Sequence, residues 1–221
     1  MVMSWEIPPS VFVYTLSVEQ TTMSWAAGLR RLIIPGPFQE VHFISGMPYD
    51  HARNQACMRF LESGAEWLFS IDSDVIAPRD AIPRLISRGK PVISGIYARR
   101  SPPVGIPVMI KDGRWVTEYP ANALIEVDVV GAGLLLIHRS VIERLPPIDP
   151  EIGRAWFSWR VDRQHLLPPG EGMSEDFCFC KQVRDKLKIP IVVDTSVVAA
   201  HVGLCQAMPG YFGPIDSVAV Q

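Results

Sequence analysis

The chain has 221 residues, of which 48% are hydrophobic, and its 23 acidic and 21 basic side chains give a formal charge of −2. That length suits an α/β domain with a sizeable core, and the apolar, charge-balanced composition excludes a disordered chain. It also excludes a sequence-independent grip on nucleic acid, which depends on clustered lysine and arginine side chains.

Predicted strands and helices alternate along the first half of the chain. Runs rich in β-branched and aromatic residues predict the strands, and apolar positions with a helical period predict the helices. In chain order they are a strand over Val11–Leu16, a helix over 21–32, a strand over Val41–Ile44, a helix over 50–63 with Gly64 as C-cap, a strand over Trp67–Ile71, a helix over 79–88 and a strand over 91–97.

The second half is less regular, but the alternation continues. Its predicted elements are a connection over 98–121 with a β-ribbon, an apolar run over 127–138 interrupted by Gly131-Ala132-Gly133, a helix over 140–145, a loop-rich stretch over 146–172, a helix over 174–187 and a strand over 189–200. Such alternation predicts a mostly parallel sheet with helices on both faces.

The sequence carries no sign of a membrane or an export route. No stretch reaches the roughly 18 consecutive apolar residues that a membrane helix needs. Residues 1–9 lack the basic and apolar regions of a secretory signal. The 4 cysteines show no zinc-like spacing, which favours reduced thiols. We therefore expect a cytoplasmic protein.

An acidic triplet, Asp72-Ser73-Asp74, directly follows the predicted strand Trp67–Ile71. In open α/β sheets, ligands bind beyond the carboxyl ends of the strands. Two carboxylates placed two residues apart can converge on one divalent cation, which in turn can hold phosphate oxygens. The alternative interpretation is a turn with a helix cap, since aspartate is favoured in both.

A second acidic pair, Glu175-Asp176, opens the helix predicted after Ser174. Carboxylates in the first turn interact favourably with the helix dipole, and that effect alone would explain them. In the functional interpretation, one of the two projects into the crevice at the sheet edge as a general base. An ionised carboxylate there can accept the proton of an alcohol that is being deprotonated.

Other candidates lie near the same predicted crevice. His201 ends the last predicted strand; it is either a hydrogen-bonded surface residue or a metal ligand, and imidazole suits Mn²⁺ better than Mg²⁺. Trp156, Phe157 and Trp159 form either an exposed surface for sugar rings or bases, or a satellite core. Gly131-Ala132-Gly133 is not a dinucleotide fingerprint, and indicates instead the close approach of a ligand or of neighbouring backbone.

The order of these motifs resembles that of GT-A glycosyltransferases. It is most similar to the small stand-alone members related to family 2, including those of bacteriophages. The resembling segments are 52–54 with 67–75, then 127–139, Trp156-Phe157 and 172–201, about half of the chain. The resemblance implies a Rossmann-like GT-A domain over 1–221, with a nucleotide-sugar-binding half over about 1–100, an acceptor-binding and catalytic half over about 101–205, and a tail over 206–221.

The resemblance also implies roles for individual residues. Mn²⁺ or Mg²⁺ would be held by Asp72, Asp74 and His201. A nucleotide-sugar donor, with UDP favoured, would be bound by Thr15, Arg53, Asp72, Ser73 and Asp74, and Arg53 would lie near the diphosphate. Asp176 matches the catalytic base of inverting members, with Glu175 beside it. Gly133, Trp156 and Phe157 would line the acceptor site.

The activity so implied is the metal-dependent transfer of one sugar to a hydroxyl acceptor, with inversion. A phage-like origin would place the protein in the host cytoplasm and make hydroxymethylated pyrimidines in DNA an acceptor. One alternative is a sugar-nucleotide nucleotidyltransferase, although residues 16–23 lack the Gly-rich basic loop that it needs. Another is a non-catalytic sugar- or nucleotide-binding module. The sequence indicates no oligomeric state.

Overall fold

The computed structural model describes residues 8–16, 21–37, 40–100, 105–146, 156–159, 173–202, 206–208 and 211–213. The strands are β1 (Val11–Leu16), β2 (Val41–Ile44), β3 (Trp67–Ile71), β4 (Val75–Ile76), β5 (Val92–Ile96), β6 (Met109–Lys111), β7 (Arg114–Trp115), β8 (Leu124–Val127), β9 (Val129–Val130), β10 (Leu134–His138), β11 (Ile191–Val198), β12 (Ala200–His201), β13 (Gln206–Met208) and β14 (Tyr211–Gly213). The helices are α1 (Met23–Arg31), α2 (Tyr49–Ser63), α3 (Ala81–Ser87), α4 (Arg139–Arg144) and α5 (Glu175–Gln182), which continues as a π-helical turn over Val183–Leu187.

The described strands form a seven-stranded central sheet in the order β2-β1-β3-β10-β5-β11-β8. β1 pairs in parallel with both β2 and β3, and β5 pairs in parallel with β11. β10 and β8 run antiparallel to their neighbours. The predicted mixed, mostly parallel sheet is confirmed. The carboxyl ends of β1, β3, β5 and β11 therefore meet at one edge, together with the amino end of β10.

Apolar residues cover both faces of this sheet. Helices α2, α4 and α5 pack on one face, where Phe60, Ile142 and Phe179 are completely buried. Helix α3 and the end of α1 pack on the other face around Ile82 and Leu85. No helix within the described ranges is long and apolar enough to cross a membrane.

Local sequence explains where several helices begin and end. Gly64 ends α2 with a φ of 73°, the left-handed conformation that glycine adopts readily, as the sequence predicts. Pro83 is tolerated in α3 because it lies in the first turn, where a backbone N–H has no partner within the helix. Ser174 occupies the N-cap position of α5.

The apolar run over 127–138 differs from a single interrupted strand. β8 ends at Val127 in the central sheet, β9 pairs with β6 in a separate three-stranded sheet, and β10 returns to the middle of the central sheet. The reason is the turn at 131–133, whose glycines admit a tyrosine side chain that a continuous strand would exclude.

The last predicted strand, over 189–200, also divides in two. β11 ends at Val198, and β12 leaves the central sheet to pair with β4, with His201 opposite Val75. β13 and β14, in the predicted tail over 206–221, extend this small sheet. β13 and β14 have three residues each, too few for a hydrophobic period to predict a strand. The pairing of β12 with β4 brings His201 beside the acidic triplet.

Candidate active site at the carboxyl edge of the sheet

The turn between β9 and β10 is hydrogen-bonded to residues from three other parts of the site. Gly133 O accepts a hydrogen bond from Asp72 N at 3.1 Å, and Gly133 N donates to the Tyr97 hydroxyl at 3.0 Å. Ala132 N donates to Oδ2 of Asp176 at 3.1 Å. The turn thus joins the first residue of the acidic triplet, the residue that follows β5 and the first turn of α5.

Two positions in this turn require glycine because Tyr97 packs against them. A Cβ on Gly131 would lie 2.0 Å from the Tyr97 hydroxyl. A Cβ on Gly133 would lie 3.0 Å from both that hydroxyl and Oδ2 of Asp72. The sequence predicted the close approach of a ligand or of neighbouring backbone; in the structure, the side chain of Tyr97 occupies this space instead. A contact between Gly133 and an acceptor stays a prediction.

We expect Gly131→Ala to lower the free energy of unfolding by about 1–3 kcal/mol, the usual cost of overpacking a filled site. Tyr97→Phe removes the clashing oxygen, so the alanine should cost less in that background, with a coupling energy of about 1 kcal/mol or more. Urea denaturation of the four proteins of this double-mutant cycle measures the coupling. Strictly additive effects would contradict the proposed clash.

The backbone of the acidic triplet is held at each of its three carbonyl groups. Trp25 Nε1 donates to Asp72 O at 2.9 Å, and Thr21 Oγ1 donates to Ser73 O at 2.8 Å. Val202 N donates to Asp74 O at 2.7 Å. These bonds come from Thr21 just before α1, from Trp25 within α1 and from Val202 just after β12, so the triplet is fixed before any ligand arrives. The Ser73 side chain is nearly buried, and its contact with a donor stays a prediction.

Asp74 faces His201, as the predicted metal site requires. Oδ1 of Asp74 lies 3.2 Å from Nε2 of His201, and Nδ1 of His201 lies 2.8 Å from Ala98 O. Since a carbonyl oxygen only accepts, Nδ1 carries the hydrogen, and Nε2 of the neutral ring is an acceptor. Oδ1 of Asp74 is buried and makes no aligned hydrogen bond within the described residues. When the ring is neutral, Nε2 and the Asp74 carboxylate both present lone pairs, so the two side chains are suited to hold a cation between them.

Positively charged neighbours lower the pKa of Asp74. Burial alone would raise this pKa, but the hydrogen bond and charge of the protonated form of His201, together with the charge of Arg100, outweigh burial, so the pKa lies below its usual value. A metal ion bound between the two side chains would replace the proton on Nε2. Nη2 of Arg100 is 2.8 Å from Oδ2 of Asp74. The Asp74 carboxylate is therefore ionised at neutral pH, the form in which it can bind a metal.

The oxygen and nitrogen donors of Asp74 and His201 fit a Mn²⁺ ion. Within the described residues, however, no three His, Cys, Asp or Glu side chains converge as a complete metal centre. Asp72, the third predicted ligand, is paired with Arg53 at 3.2 Å. The structure thus places Asp74 and His201 together as a partial ligand pair, and directs Asp72 towards a different partner.

Arg53 forms a buried network that sequence reasoning missed. The residue is 3% exposed, and its guanidinium donates to Oδ1 of Asp72, Oε1 of Glu175, the Ser70 hydroxyl and, more weakly at 3.4 Å, the Tyr14 hydroxyl. These four bonds use four of the five N–H groups of Arg53, and its location near a diphosphate stays a prediction. Arg53 fixes the acidic triplet relative to α5.

The pKa shifts in this network follow from burial and charge. Burial alone would lower the pKa of Arg53, but Asp72 and Glu175 outweigh it and the pKa lies well above the usual value. Burial raises the pKa of Asp72, although Arg53 opposes the shift. Burial and the neighbouring Asp176 raise the pKa of Glu175. The arginine therefore stabilises two carboxylates that burial would otherwise protonate.

The two acidic residues of α5 face different environments. Glu175 is 4% exposed and turns inward to Arg53, with 3.0 Å between Oε1 and Nε. Asp176 is half-buried, and its carboxylate accepts hydrogen bonds from the Ser174 hydroxyl, Phe177 N and Ala132 N. Asp176 is thus the member of the pair that reaches the sheet edge, held in one orientation by neutral donors.

Thr15 lies near the carboxyl end of β1, where a donor contact is predicted. Its side chain is fully buried, and its hydroxyl oxygen has no hydrogen-bond partner within the described residues. An unpaired buried hydroxyl is costly, so it is a group that a ligand could satisfy. The neighbouring residues 17–20 lie outside the described part of the chain.

The aromatic cluster does not offer the predicted acceptor surface. Trp156 and Phe157 are each 1% exposed. Trp156 donates from Nε1 to Ile142 O, and Phe157 stacks on Phe179 with 4.5 Å between ring centroids. Because both rings are packed in the core, the predicted stacking of an acceptor on them is wrong. Trp159, at 53% exposure, is the aromatic residue of this segment that faces solvent.

Tyr97 and Arg100 are site residues missing from the sequence-based prediction. Both closely follow the end of β5, at the same edge as the acidic triplet. Their position after a parallel strand is the signal that could have found them, since this is the rule that identifies Asp72 and Asp74. Arg53 itself was predicted through the resemblance, but its bond to Glu175 carries no such signal, because it joins two helices.

The fold and this edge define a class: the chain has a GT-A glycosyltransferase-like fold. A solved structure of A197 from STIV is similar, with a TM-score of 0.64 and 17% identity over 96% of this chain and 97% of that one. A structure of GalNAc-T7 with UDP, GalNAc and Mn²⁺ is similar with a TM-score of 0.56 and 10% identity. This similarity covers 90% of this chain and 44% of the GalNAc-T7 chain, so this chain spans less than half the length of the GalNAc-T7 chain.

No family model and no curated protein matches the sequence. The identities to the two solved structures are low, and these likenesses show the fold alone.

Proposed function

We propose that this protein is a metal-dependent glycosyltransferase that moves one sugar from a nucleotide-diphosphate donor to a hydroxyl acceptor. The observation that carries the proposal is the arrangement around the turn at 131–133. The candidate cation ligands Asp74 and His201 lie next to Asp72, and Asp72 and Asp176 are hydrogen-bonded to Gly133 and Ala132, adjacent residues of that turn. Glycosyl transfer needs a cation at the leaving diphosphate and a base at the acceptor.

Asp74 and His201 would hold the metal, Mn²⁺ in preference to Mg²⁺. A bound metal neutralises the charge that grows on the departing diphosphate. Asp176 accepts the proton of the acceptor hydroxyl as its oxygen attacks the anomeric carbon. The hydrogen bonds from Ser174 and Ala132 orient this carboxylate, so no reorganisation is needed during the reaction.

The same geometry favours inversion. Retention through a covalent intermediate needs a second carboxylate as nucleophile. Glu175, the nearest neighbour of Asp176 in sequence, is buried against Arg53 and unavailable to a sugar. A single displacement, with Asp176 as the base, uses the one carboxylate of the pair that faces the edge.

A UDP-sugar is our preferred donor class. The GalNAc-T7 structure similar to this chain contains UDP and Mn²⁺. In this chain, the unpaired hydroxyl of Thr15 lies at the edge where the nucleoside would bind. For the acceptor we propose only a hydroxyl compound, because the buried Trp156 and Phe157 remove the platform on which a DNA base was expected to stack.

The cation site is tested through donor binding. We expect a UDP-sugar with Mn²⁺ to raise the melting temperature of the wild type, ahead of GDP-, CMP- and dTDP-sugars, and EDTA to abolish the shift. Asp74→Ala should lose the shift and the slow hydrolysis of the donor, with a rate at least tenfold lower. Asp80→Ala, which removes an exposed carboxylate on the loop before α3, is the matched control.

Other results would contradict the proposal or favour one of the two alternative functions. Equal hydrolysis by wild type and Asp74→Ala would contradict the proposal. Binding without hydrolysis or transfer to any hydroxyl acceptor would favour a non-catalytic binding module. Release of pyrophosphate from a nucleoside triphosphate and a sugar phosphate would favour a nucleotidyltransferase.

A further inference from the structure

Arg100 occupies a position at this edge that the proposed reaction does not yet use. Nη2 lies 2.8 Å from Oδ2 of Asp74, and Nη1 donates to Val202 O at 3.1 Å. The side chain is 45% exposed, so it is free to move into solvent. The other oxygen of Asp74 faces His201. A single carboxylate is therefore shared between an arginine and the proposed metal site.

A divalent cation on Asp74 would change the balance of charge around Arg100. The arginine would lose part of its attraction to Asp74 and would be repelled by the cation at short range. A diphosphate held by the same cation would present oxygen acceptors close to the displaced guanidinium. The planar fork of N–H donors in arginine matches two phosphate oxygens, which a lysine ammonium cannot do in the same way.

We propose that Arg100 is a diphosphate-binding residue that pairs with Asp74 until a metal arrives and then turns to the donor's diphosphate. This inference rests on the proposed function and adds a residue to it. Arg53 cannot serve in this way, because its guanidinium is buried and already bonded to Asp72, Glu175 and Ser70. Arg100 is exposed and has one carboxylate partner among the described residues.

The proposal predicts that removing Arg100 strengthens the binding of Mn²⁺ and weakens the binding of UDP. Without nucleotide, Arg100→Gln should bind Mn²⁺ about two- to fivefold more tightly than wild type, because the competitor for Asp74 is gone. With saturating Mn²⁺, the variant should bind UDP about tenfold more weakly, from the loss of a charge-assisted contact. Electron paramagnetic resonance of free Mn²⁺ measures the first affinity and calorimetry the second.

The neighbouring arginine gives a matched control. Arg99 packs over the Trp115 ring at 4.4 Å, and Arg99→Gln makes the same change of charge one residue away. We expect it to leave both affinities within about twofold of wild type. Arg100→Lys keeps the charge but loses the fork, so it should retain wild-type Mn²⁺ binding and lose most of the UDP affinity. Both Arg100 variants should melt within a few degrees of wild type. If Arg100→Gln does not fold, the UDP affinity of Arg100→Lys tests the proposal by itself.

The outcomes separate this inference from the proposed function. If wild type binds Mn²⁺ and UDP, but Arg100→Gln shows unchanged or weaker Mn²⁺ binding, or unchanged UDP binding, then the role of Arg100 is wrong and the proposed function stands. If wild type binds neither Mn²⁺ nor UDP, both fail. Calorimetry with pyrophosphate and Mn²⁺ provides a probe of the diphosphate site that does not depend on the base.

Discussion

Arg53→Met is expected to lower the free energy of unfolding by about 3–5 kcal/mol, the cost of leaving buried charges without their partner. The arginine is 3% exposed and contacts two carboxylates, Asp72 and Glu175, whose own burial disfavours their ionised forms. Methionine fills a similar volume but supplies no charge or hydrogen bond. Urea denaturation at neutral pH measures the loss.

The pH dependence of the lost unfolding free energy shows whether the loss comes from the buried carboxylates of Asp72 and Glu175. In the folded protein, the pKa values of Asp72 and Glu175 lie above their usual values, and removal of Arg53 would raise both further. A carboxylate with a raised folded pKa makes the protein less stable as pH rises through the interval between its unfolded and folded pKa. The penalty of Arg53→Met should therefore be smaller near pH 4 than near pH 7.5.

A matched control separates this network from a general loss of positive charge. Lys181 pairs with Asp185 on the exposed face of α5, at 3.1 Å. Lys181→Met should cost less than about 1 kcal/mol, as is usual for surface pairs. If Arg53→Met cost no more than Lys181→Met, or cost the same at both pH values, the network would not stabilise the site as inferred.

Arg53 also shows why sequence reasoning recovers only part of this site. The acidic residues at 72, 74 and 176 were predictable because each lies at the end of an element, where the fold class determines which ends meet. The bond from Arg53 to Glu175 joins residues 122 positions apart. Such a contact depends on the packing of α2 against α5, and no local pattern encodes that packing.

The same distinction explains the errors in the fold. Periodicity predicted β1, β3 and β5 closely, because their side chains are buried along the whole strand. It predicted the interruption at residues 131–133, but it could not find the reason, which is the side chain of Tyr97, over thirty positions away, with an Oη···N distance of 3.0 Å to Gly133. It also left open whether Trp156 was exposed, which depends on a cavity lined by α4.

The largest expected effect on catalysis is that of Asp176→Asn. We expect kcat for sugar transfer to fall by about 10²- to 10⁴-fold, the usual contribution of a positioned general base. Asparagine has the same shape, and its carbonyl oxygen can still accept the hydrogen bond from Ala132 N, although its NH2 group then faces Phe177 N and that bond is lost. The turn at 131–133 should therefore keep its structure, and urea denaturation measures the cost at the start of α5. The affinity for donor and Mn²⁺ should stay within about threefold of wild type, because those ligands are assigned to Asp74 and His201.

The pH–rate profile distinguishes a base from a residue that only maintains structure. If Asp176 accepts the proton, kcat of the wild type should fall at acidic pH, and this fall should be absent in Asp176→Asn, since the variant has no group to protonate there. Asp185→Asn, at the exposed far end of the same helix, should keep both the rate and the acid limb. A variant of Asp176 with reduced kcat but an unchanged acid limb would assign the proton transfer to another group, and Glu175 would be the next residue to test, because burial and Asp176 already raise its pKa.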